Sequence, residues 1–405
     1  MENKSLGHLA TRRRDISIAV MISTIFIEMI GFGIIIPVLP FYGQRFGATD
    51  WDLGALVAIF GLFQFLFAFL LGHLSDRFGR KPVLLGCLFF TGVSLILMAH
   101  ADELWMLFVG RAIGGAAGAN VAVANAYIAD MTRPHERARY LAFVGMALGG
   151  GMIFGPALGG VLSGDQASPL PFAIAGVLAF TAVVVGLIFM SESVHLGRIR
   201  HHADSPEEHF ETAMPLLKKP AVLYPMIGFV VLEFLLAALQ LTFPLWAQRR
   251  LQWGPEETGY FYAYLGVLIV FVQGWLIGRL VREVSERTLA LFGTIMMVAA
   301  FVIVAWGTQL PHALVAGALV AFGFGIASPA LNGLVSRNSP PHLQGGVQGV
   351  TQSAANLMRA AGPSVGGWLI HEYAIGAPFY ASAAMLAVTA IMLGLLSRGL
   401  TPPGR

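Results

Sequence analysis

Charge is what this chain has least of: only 12% of its 405 residues are Asp, Glu, Lys or Arg, against 56% hydrophobic. So little polar surface cannot wrap a water-soluble globule, which excludes most soluble enzymes and binding modules at once. Cysteine is scarcer still. Cys87 stands alone inside an apolar run, so disulfides and cysteine-held metals are excluded. The sequence has no phosphate-binding G-x-x-x-x-G-K loop and no H-E-x-x-H pair, which removes the obvious ATP-driven and metalloprotease readings. Apolar and polar residues do not alternate with a period of two, so a membrane β-barrel is not expected. Basic runs interleaved with aromatic residues are also missing, and with them the case for a nucleic-acid partner.

What the chain has instead is length in oil. Its mean hydropathy of +0.72 is spread over runs of about 20 apolar residues, the length a helix needs to cross a hydrocarbon core about 30 Å thick. Twelve spans are expected, starting near Ile16, Leu53, Val83, Leu104, Glu136, Leu170, Ala221, Thr258, Thr288, Ala313, Leu343 and Ala377. The first follows Arg12, Arg13 and Arg14 with no small-residue cleavage pattern, so it reads as a retained helix rather than a signal peptide. With the N-terminus cytoplasmic, only Arg45, Arg249 and Arg250 fall outside, Arg111 and Arg359 fall within spans, and every other Lys and Arg is inner. That asymmetry obeys the positive-inside rule in every short loop but one and accounts for the basic pI of about 9.1. The chain is read as a multi-pass protein of the cell inner (plasma) membrane with both termini cytoplasmic.

The sequence also repeats itself. Gly155-Pro156-Ala157-Leu158-Gly159-Gly160 matches Gly362-Pro363-Ser364-Val365-Gly366-Gly367 at an offset of 207 residues, which also matches Asn125 with Asn332. An offset of 206 matches Gly72 and Leu74 with Gly278 and Leu280. Six helices therefore occur twice in parallel orientation, as in a two-bundle transporter with its site between the halves. The expected organisation is an N-terminal six-helix bundle (1–190), a cytoplasmic linker (191–220) and a C-terminal six-helix bundle (221–405). His195, His201, His202 and His209 lie in the linker, but their spacing has no ligand logic, and a solvated connection is the expectation.

Between the second and third runs, Gly72 to Lys81 reads GHLSDRFGRK, a tight turn carrying Asp76, Arg77, Gly79 and Arg80. Gly110-Arg111 and a glycine-rich stretch follow, then Ala126 to Asp130, then GPALGG in span five; Glu28-Met29-Ile30-Gly31 and Pro37-Val38-Leu39-Pro40 mark span one. Together these strings resemble the twelve-helix drug/proton antiporters of the major facilitator superfamily, most closely the tetracycline-exporter-like branch, over essentially the whole chain. The resemblance implies an all-α membrane fold of two pseudo-symmetric six-helix bundles, a monomer, no cofactor, and protons exchanged for a small-molecule cargo across the lipid bilayer. It implies further that Asp76 caps the eleventh helix near Leu343, that Arg80 pairs with Asp130, and that this cluster latches the cytoplasmic side. A topology anchor of positive charges is the plainer alternative. Arg282 stands where the second repeat would place Asp76, so a degraded second latch is expected. In span five, Gly151, Gly155, Gly159 and Gly160 allow close backbone approach and Pro156 removes a donor; the resemblance makes this helix part of the conformational switch, while plain packing would also account for the glycines.

Four charges remain inside spans: Glu28, Arg111, Glu233 and Arg359. Each costs at least about 2.5–3.5 kcal/mol at the bilayer centre unless paired or watered, so each is expected to face an internal cavity. Helix rise puts Glu28 and Arg111 within about 5 Å of one depth, so they can pair; Glu233 and Arg359 make a second acid and base near mid-span. Static salt bridges are the alternative to proton coupling for both pairs. Glu28 is the expected proton carrier, its charge governed by its distance from Arg111. Gln64, Asn120, Asn125, Phe234, Gln240, Gln273, Asn332, Gln352 and Asn356 are candidate cavity-lining groups, since an apolar wall with a few hydrogen-bonding groups suits an amphipathic cargo.

Two strings mislead or depart. Gly362-Pro363-Ser364-Val365-Gly366 matches the G-x-S-x-G hydrolase pattern, but it falls inside a span and its repeat partner carries Ala157. Tetracycline exporters carry a histidine in the eighth helix and an aspartate in the ninth, where this chain has Ile269 and Met297. A different or broader hydrophobic compound is therefore expected. The reading is a proton-coupled exporter and not an enzyme. Its rivals are a same-fold carrier of a metabolite, sugar or lipid, and a receptor or scaffold that no longer transports.

Overall fold

The computed structural model describes residues 2–164, 168–193, 216, 219–340 and 343–399, and the regular structure among them is helical. Most of the expected linker, including its four histidines, lies outside the described residues. Spans one to six are carried by α1 (Glu2–Gln44), α2 (Asp50–Phe78), α3 (Arg80–Ala99), α4 (Leu104–Ala117), α5 (Val121–Met131), α6 (Pro134–Ser163) and α7 (Leu170–Phe189). A 3₁₀ turn, Gly118–Asn120, joins α4 to α5 within span four. Spans seven to twelve are α8 (Pro220–Leu251), α9 (Pro255–Phe271), α10 (Ile277–Glu283), α11 (Glu286–Trp306), α12 (Leu310–Arg337), α13 (Gln344–Glu372) and α14 (Ala377–Gly399). A π-helical turn, Val272–Leu276, links α9 to α10.

Counting α4 with α5 and α9 with α10, eleven of the twelve spans are long and apolar enough to cross a membrane. The twelfth, α13, has the length at 29 residues but interrupts its apolar residues with Gln348, Gln352, Asn356 and Arg359. Every expected span start lies within three residues of a helix start except the first. There α1 begins at Glu2, because Glu, Lys, Leu, Ala and Arg before Ile16 favour helix while the charged residues among them keep the segment's hydropathy low.

The described chain falls into two compact units. One comprises Met1–Ala48, Ile59–Arg200 and Gly254–Ala263; the other comprises Thr49–Ala58, His201–Trp253 and Tyr264–Arg405. In the first, α1 packs along α6 and α7, and α3 along α7 and α4. The second repeats this scheme: α8 packs along α13 and α14, and α11 along α14 and α12. Apolar burial holds each together. Ile18, Met21, Ile25, Leu84, Tyr127, Ile128 and Val144 share a core in the first unit, and fully buried Phe243, Trp246, Phe301 and Phe379 pack ring against ring in the second.

Glycine sets the closest approaches. A Cβ on Gly155 would lie 2.7 Å from both Gly33 Cα and Ile30 O, so α6 meets α1 backbone to backbone. Gly362 meets Phe234 of α8 in the same manner in the other unit. The last glycine of each string turns to a different helix: Gly160 to Pro255 and Glu256 at the start of α9, Gly367 to Asp50 and Gly54 at the start of α2. Pro156 sits within unbroken α6, beside Gly33.

Candidate functional site

Glu28 of α1 is buried, 5% exposed. Asn120 Nδ2 donates to its Oε2 at 2.7 Å, and Oε1 has no hydrogen-bond partner among the described residues. Arg111 was the partner expected from sequence. It is buried on α4, with its guanidinium 4.3 Å from the centroid of the Phe60 ring, where a delocalised cation is attracted to the aromatic face. The local chain explains how Asn120 reaches α1. Gly114, Gly115 and Gly118 are weak helix formers, and Gly115 lies so close to the Phe60 backbone that a Cβ there would overlap it. Span four gives up its α-helical path at Gly118–Asn120, and Gln64 Nε2 donates to the Gly118 carbonyl at 2.8 Å.

In the second unit the expected acid and base do meet. Arg359 Nε lies 2.9 Å from Glu233 Oε2; the Glu233 side chain is 10% exposed and that of Arg359 46%. An ion pair buried at one end and open at the other can be rearranged from its open side.

The cluster expected on the inner side differs from its expected shape. Gly72 to Phe78 are the last turns of α2 rather than a reverse turn, and the break is a single residue, Gly79, at φ 103° and ψ 156°. Asp76, four residues before Arg80 in sequence, pairs with it across that break at 2.7 Å. Arg80 also reaches Asp130 at 3.3 Å and Ser75 Oγ at 2.5 Å. Arg77 turns its guanidinium toward the Phe78 ring, 5.5 Å from the centroid. A residue that sequence reasoning missed completes the cluster. Glu192, just past α7, accepts from the backbone N–H groups of Arg80 at 2.9 Å and Lys81 at 3.2 Å, capping α3 with a carboxylate. Lys81 Nζ answers by donating to the Leu187 and Met190 carbonyls at the end of α7. Sequence offered no signal, since acids are ordinary at the edge of polar chain; only the fold brings Glu192 to Gly79.

The second repeat carries an ion pair of exchanged sign at two of the matching positions, with Arg282 at that of Asp76. At the repeat offsets, Glu286 stands for Arg80 and Arg337 for Asp130, and they pair at 3.2 Å. Asp50 and Arg249, at the expected outer ends of α2 and α8, form another unforeseen pair, 2.6 and 2.7 Å between Arg249 Nη2 and the two carboxylate oxygens.

The candidate lining groups divide by exposure. Asn125, Gln273 and Asn356 are exposed, while Gln64, Phe234, Gln240, Asn332 and Gln352 are half-buried. Gln64 and Asn120 spend their amides on the protein itself. Gln348, not singled out from sequence, donates to the Asn332 carbonyl at 3.4 Å. Ser364 lies in mid-α13 rather than on a strand-to-helix turn, so the G-x-S-x-G string builds no nucleophile elbow.

The sequence profile of the Major Facilitator Superfamily matches residues 21–363. A tetracycline resistance protein, class G, of Vibrio anguillarum is 34% identical over 377 residues, covering 87% of this chain and 92% of that protein. Multidrug resistance protein 2 of Bacillus subtilis (strain 168) is 28% identical over 365 residues, with 89% and 90% covered. Among solved structures, a bacterial homologue of the human lysosomal transporter Spinster superposes with a TM-score of 0.81 at 15% identity, over 96% of this chain and 99% of that one.

Proposed function

Because the chain belongs to the major facilitator superfamily, we propose that it is a proton-coupled exporter of hydrophobic or amphipathic small molecules, opening its cargo site to one side of the membrane at a time. The names of its relatives, a tetracycline resistance and a multidrug resistance protein, support export of drug-like compounds. The observation that carries proton coupling is the Glu28 carboxyl, buried, bonded on one oxygen and without a described partner on the other. A structural acid would satisfy both oxygens; one left open has somewhere to hold a proton. The Glu233–Arg359 pair supports the same reading, since an ion pair with one exposed member can exchange partners. Met297, at the expected position of the tetracycline exporters' aspartate, is fully buried and packs on Gly323, which favours a cargo range other than tetracycline alone. In the inner cluster, Arg80, Asp76, Asp130 and Glu192 serve as the cytoplasmic latch.

The test is an efflux panel of dyes and antibiotics, tetracycline included, in a hypersensitive host, with proton flux followed in proteoliposomes. The expected result is outward drug movement with inward proton movement. Glu28→Gln should lower coupled efflux at least about tenfold while the protein still reaches the membrane. Normal efflux by that variant would remove Glu28 from the mechanism.

A further inference from the structure

Glu28 is tied to a second helix through a chain of two side-chain amides. Asn120 ends the 3₁₀ turn of span four and donates to Glu28 Oε2 at 2.7 Å. Gly118 begins the same turn and gives its carbonyl to Gln64 of α2 at 2.8 Å. A break in the i+4 ladder releases carbonyls to other donors, and Gln64 takes one of them. We propose that Asn120 and Gln64 are positioning residues of the proton step: Asn120 registers whether Glu28 holds a proton, and Gln64 passes the resulting shift of the Gly118–Asn120 turn to α2. The proposal rests on the proton-carrier reading of Glu28 and gives two candidate cargo-lining residues a different role.

The chemistry is that of an amide with two unlike ends. A carboxylate only accepts, so it takes the Nδ2 donor of Asn120. A proton taken up on the open Oε1 leaves Oε2 an uncharged acceptor, so the Asn120 bond loses its charge assistance and loosens, or the carboxyl turns to donate to Oδ1. Either response moves a side chain at the end of a one-turn break rather than in a rigid helix. At the other end α2 is well placed to respond. Little of its apolar length is buried, and it is held here by Gln64 and by Phe60, which lies against Gly115 and Gly118 and under Arg111. The groups able to carry charge near this relay are Cys87 on α3, in the core against which Met29 packs, and Arg111 over Phe60 on α4. Where α6 and α7 meet the residues next to Glu28 on α1, the contacts are uncharged: Gly151 of α6 lies against Met29, and Ala175 of α7 against Gly31.

Amide hydrogen exchange on the purified full chain in lipid nanodiscs, without drug, at pH 5.5 and 8.0 tests the relay. After correction for intrinsic rates, wild type should show a difference of about threefold or more between the two pH values in residues 59–71 of α2 and in residues 113–124 of span four. Gln64→Met, which keeps the length and loses the donor, should abolish the α2 difference and leave that of span four. Gln64→Leu supplies the same arm if the methionine variant does not insert. Transport by the Gln64 variant should lose maximal rate with KM for drug unchanged. An α2 response equal to wild type in that variant, or a raised KM with the pH response intact, would overturn the relay in favour of a cargo contact. Absence of any wild-type response at α2 would also overturn it. Glu28→Gln should silence both segments; if both still respond there, it is the proton-carrier reading that fails.

Discussion

At Gly79 a side chain is excluded twice. Its φ of 103° and ψ of 156° lie in a region that only glycine enters freely, at a cost of about 1–3 kcal/mol for other residues. A Cβ there would also sit 2.6 Å from Glu192 Oε2, the carboxylate that caps α3. Gly79→Ala should therefore lower thermal stability in detergent and reduce efflux together. Glu192→Gln keeps the shape and one acceptor but loses the charge facing the helix dipole; a loss of about 0.5–2 kcal/mol, in the range of an N-cap deletion, is expected. If Glu192→Gln melts and transports as wild type, the capping has no functional weight. The contrast with Glu28, Glu233 and Arg359 shows what a sequence can reveal about single residues. A charge within an apolar run is visible from its neighbours alone, because burial cost is local information. Glu192 stands at the edge of polar chain, where acids are ordinary, and its importance comes from α7 returning it to the start of α3.

Helices were legible for the same reason, and their irregularities were not. Hydropathy marks where a chain must be buried in lipid, so eleven span starts follow from composition. The 3₁₀ turn at Gly118–Asn120 and the π turn at Val272–Leu276 answer instead to neighbouring elements: Phe60 and Gln64 lie against Gly118, and Gly325 against Val272 and Gln273. Contacts of this kind leave a glycine in the sequence but no record of which helix it meets. The α1–α6 seam turns that into a measurable difference between glycines of one helix. At Gly155 a methyl group would strike the Gly33 backbone and the Ile30 carbonyl, neither of which can rotate away. Gly145 is exposed, with nothing within 4 Å of a Cβ. Gly155→Ala should cost about 1–3 kcal/mol by overpacking and stop efflux, whereas Gly145→Ala should be neutral or slightly stabilising, since alanine is the better helix former. Equal melting temperatures for the two variants would show that α6 can move off α1 freely.

Across the whole molecule the repeat conserves the packing scheme and inverts one ion pair, and helix dipoles explain the difference between the two versions. Arg80 stands at the N-terminus of α3, where a positive charge is disfavoured, and it is surrounded by Asp76, Asp130 and the capping Glu192. In the other unit Glu286 is in the first turn of α11 and Arg337 in the last turn of α12, each at the helix end its charge prefers. That arrangement needs no auxiliary acid, so Arg282 can stand at the place of Asp76. With the Arg337 side chain 72% exposed, the pair adds little to stability, ~0–1 kcal/mol, and its effect belongs in transport rather than in melting. Glu286→Arg or Arg337→Glu alone should reduce efflux to about a third of wild type or less. Reversing both restores the pair but sets it against both dipoles, so recovery to about half is expected. Adding Arg282→Asp supplies the acid that the first half uses beside Arg80 and should raise efflux further, with expression and melting temperature unchanged across the series. A triple variant no better than the double would mean that the acid beside Arg80 does not serve to offset the dipole, and that the two ion pairs only happen to share a place in the repeat.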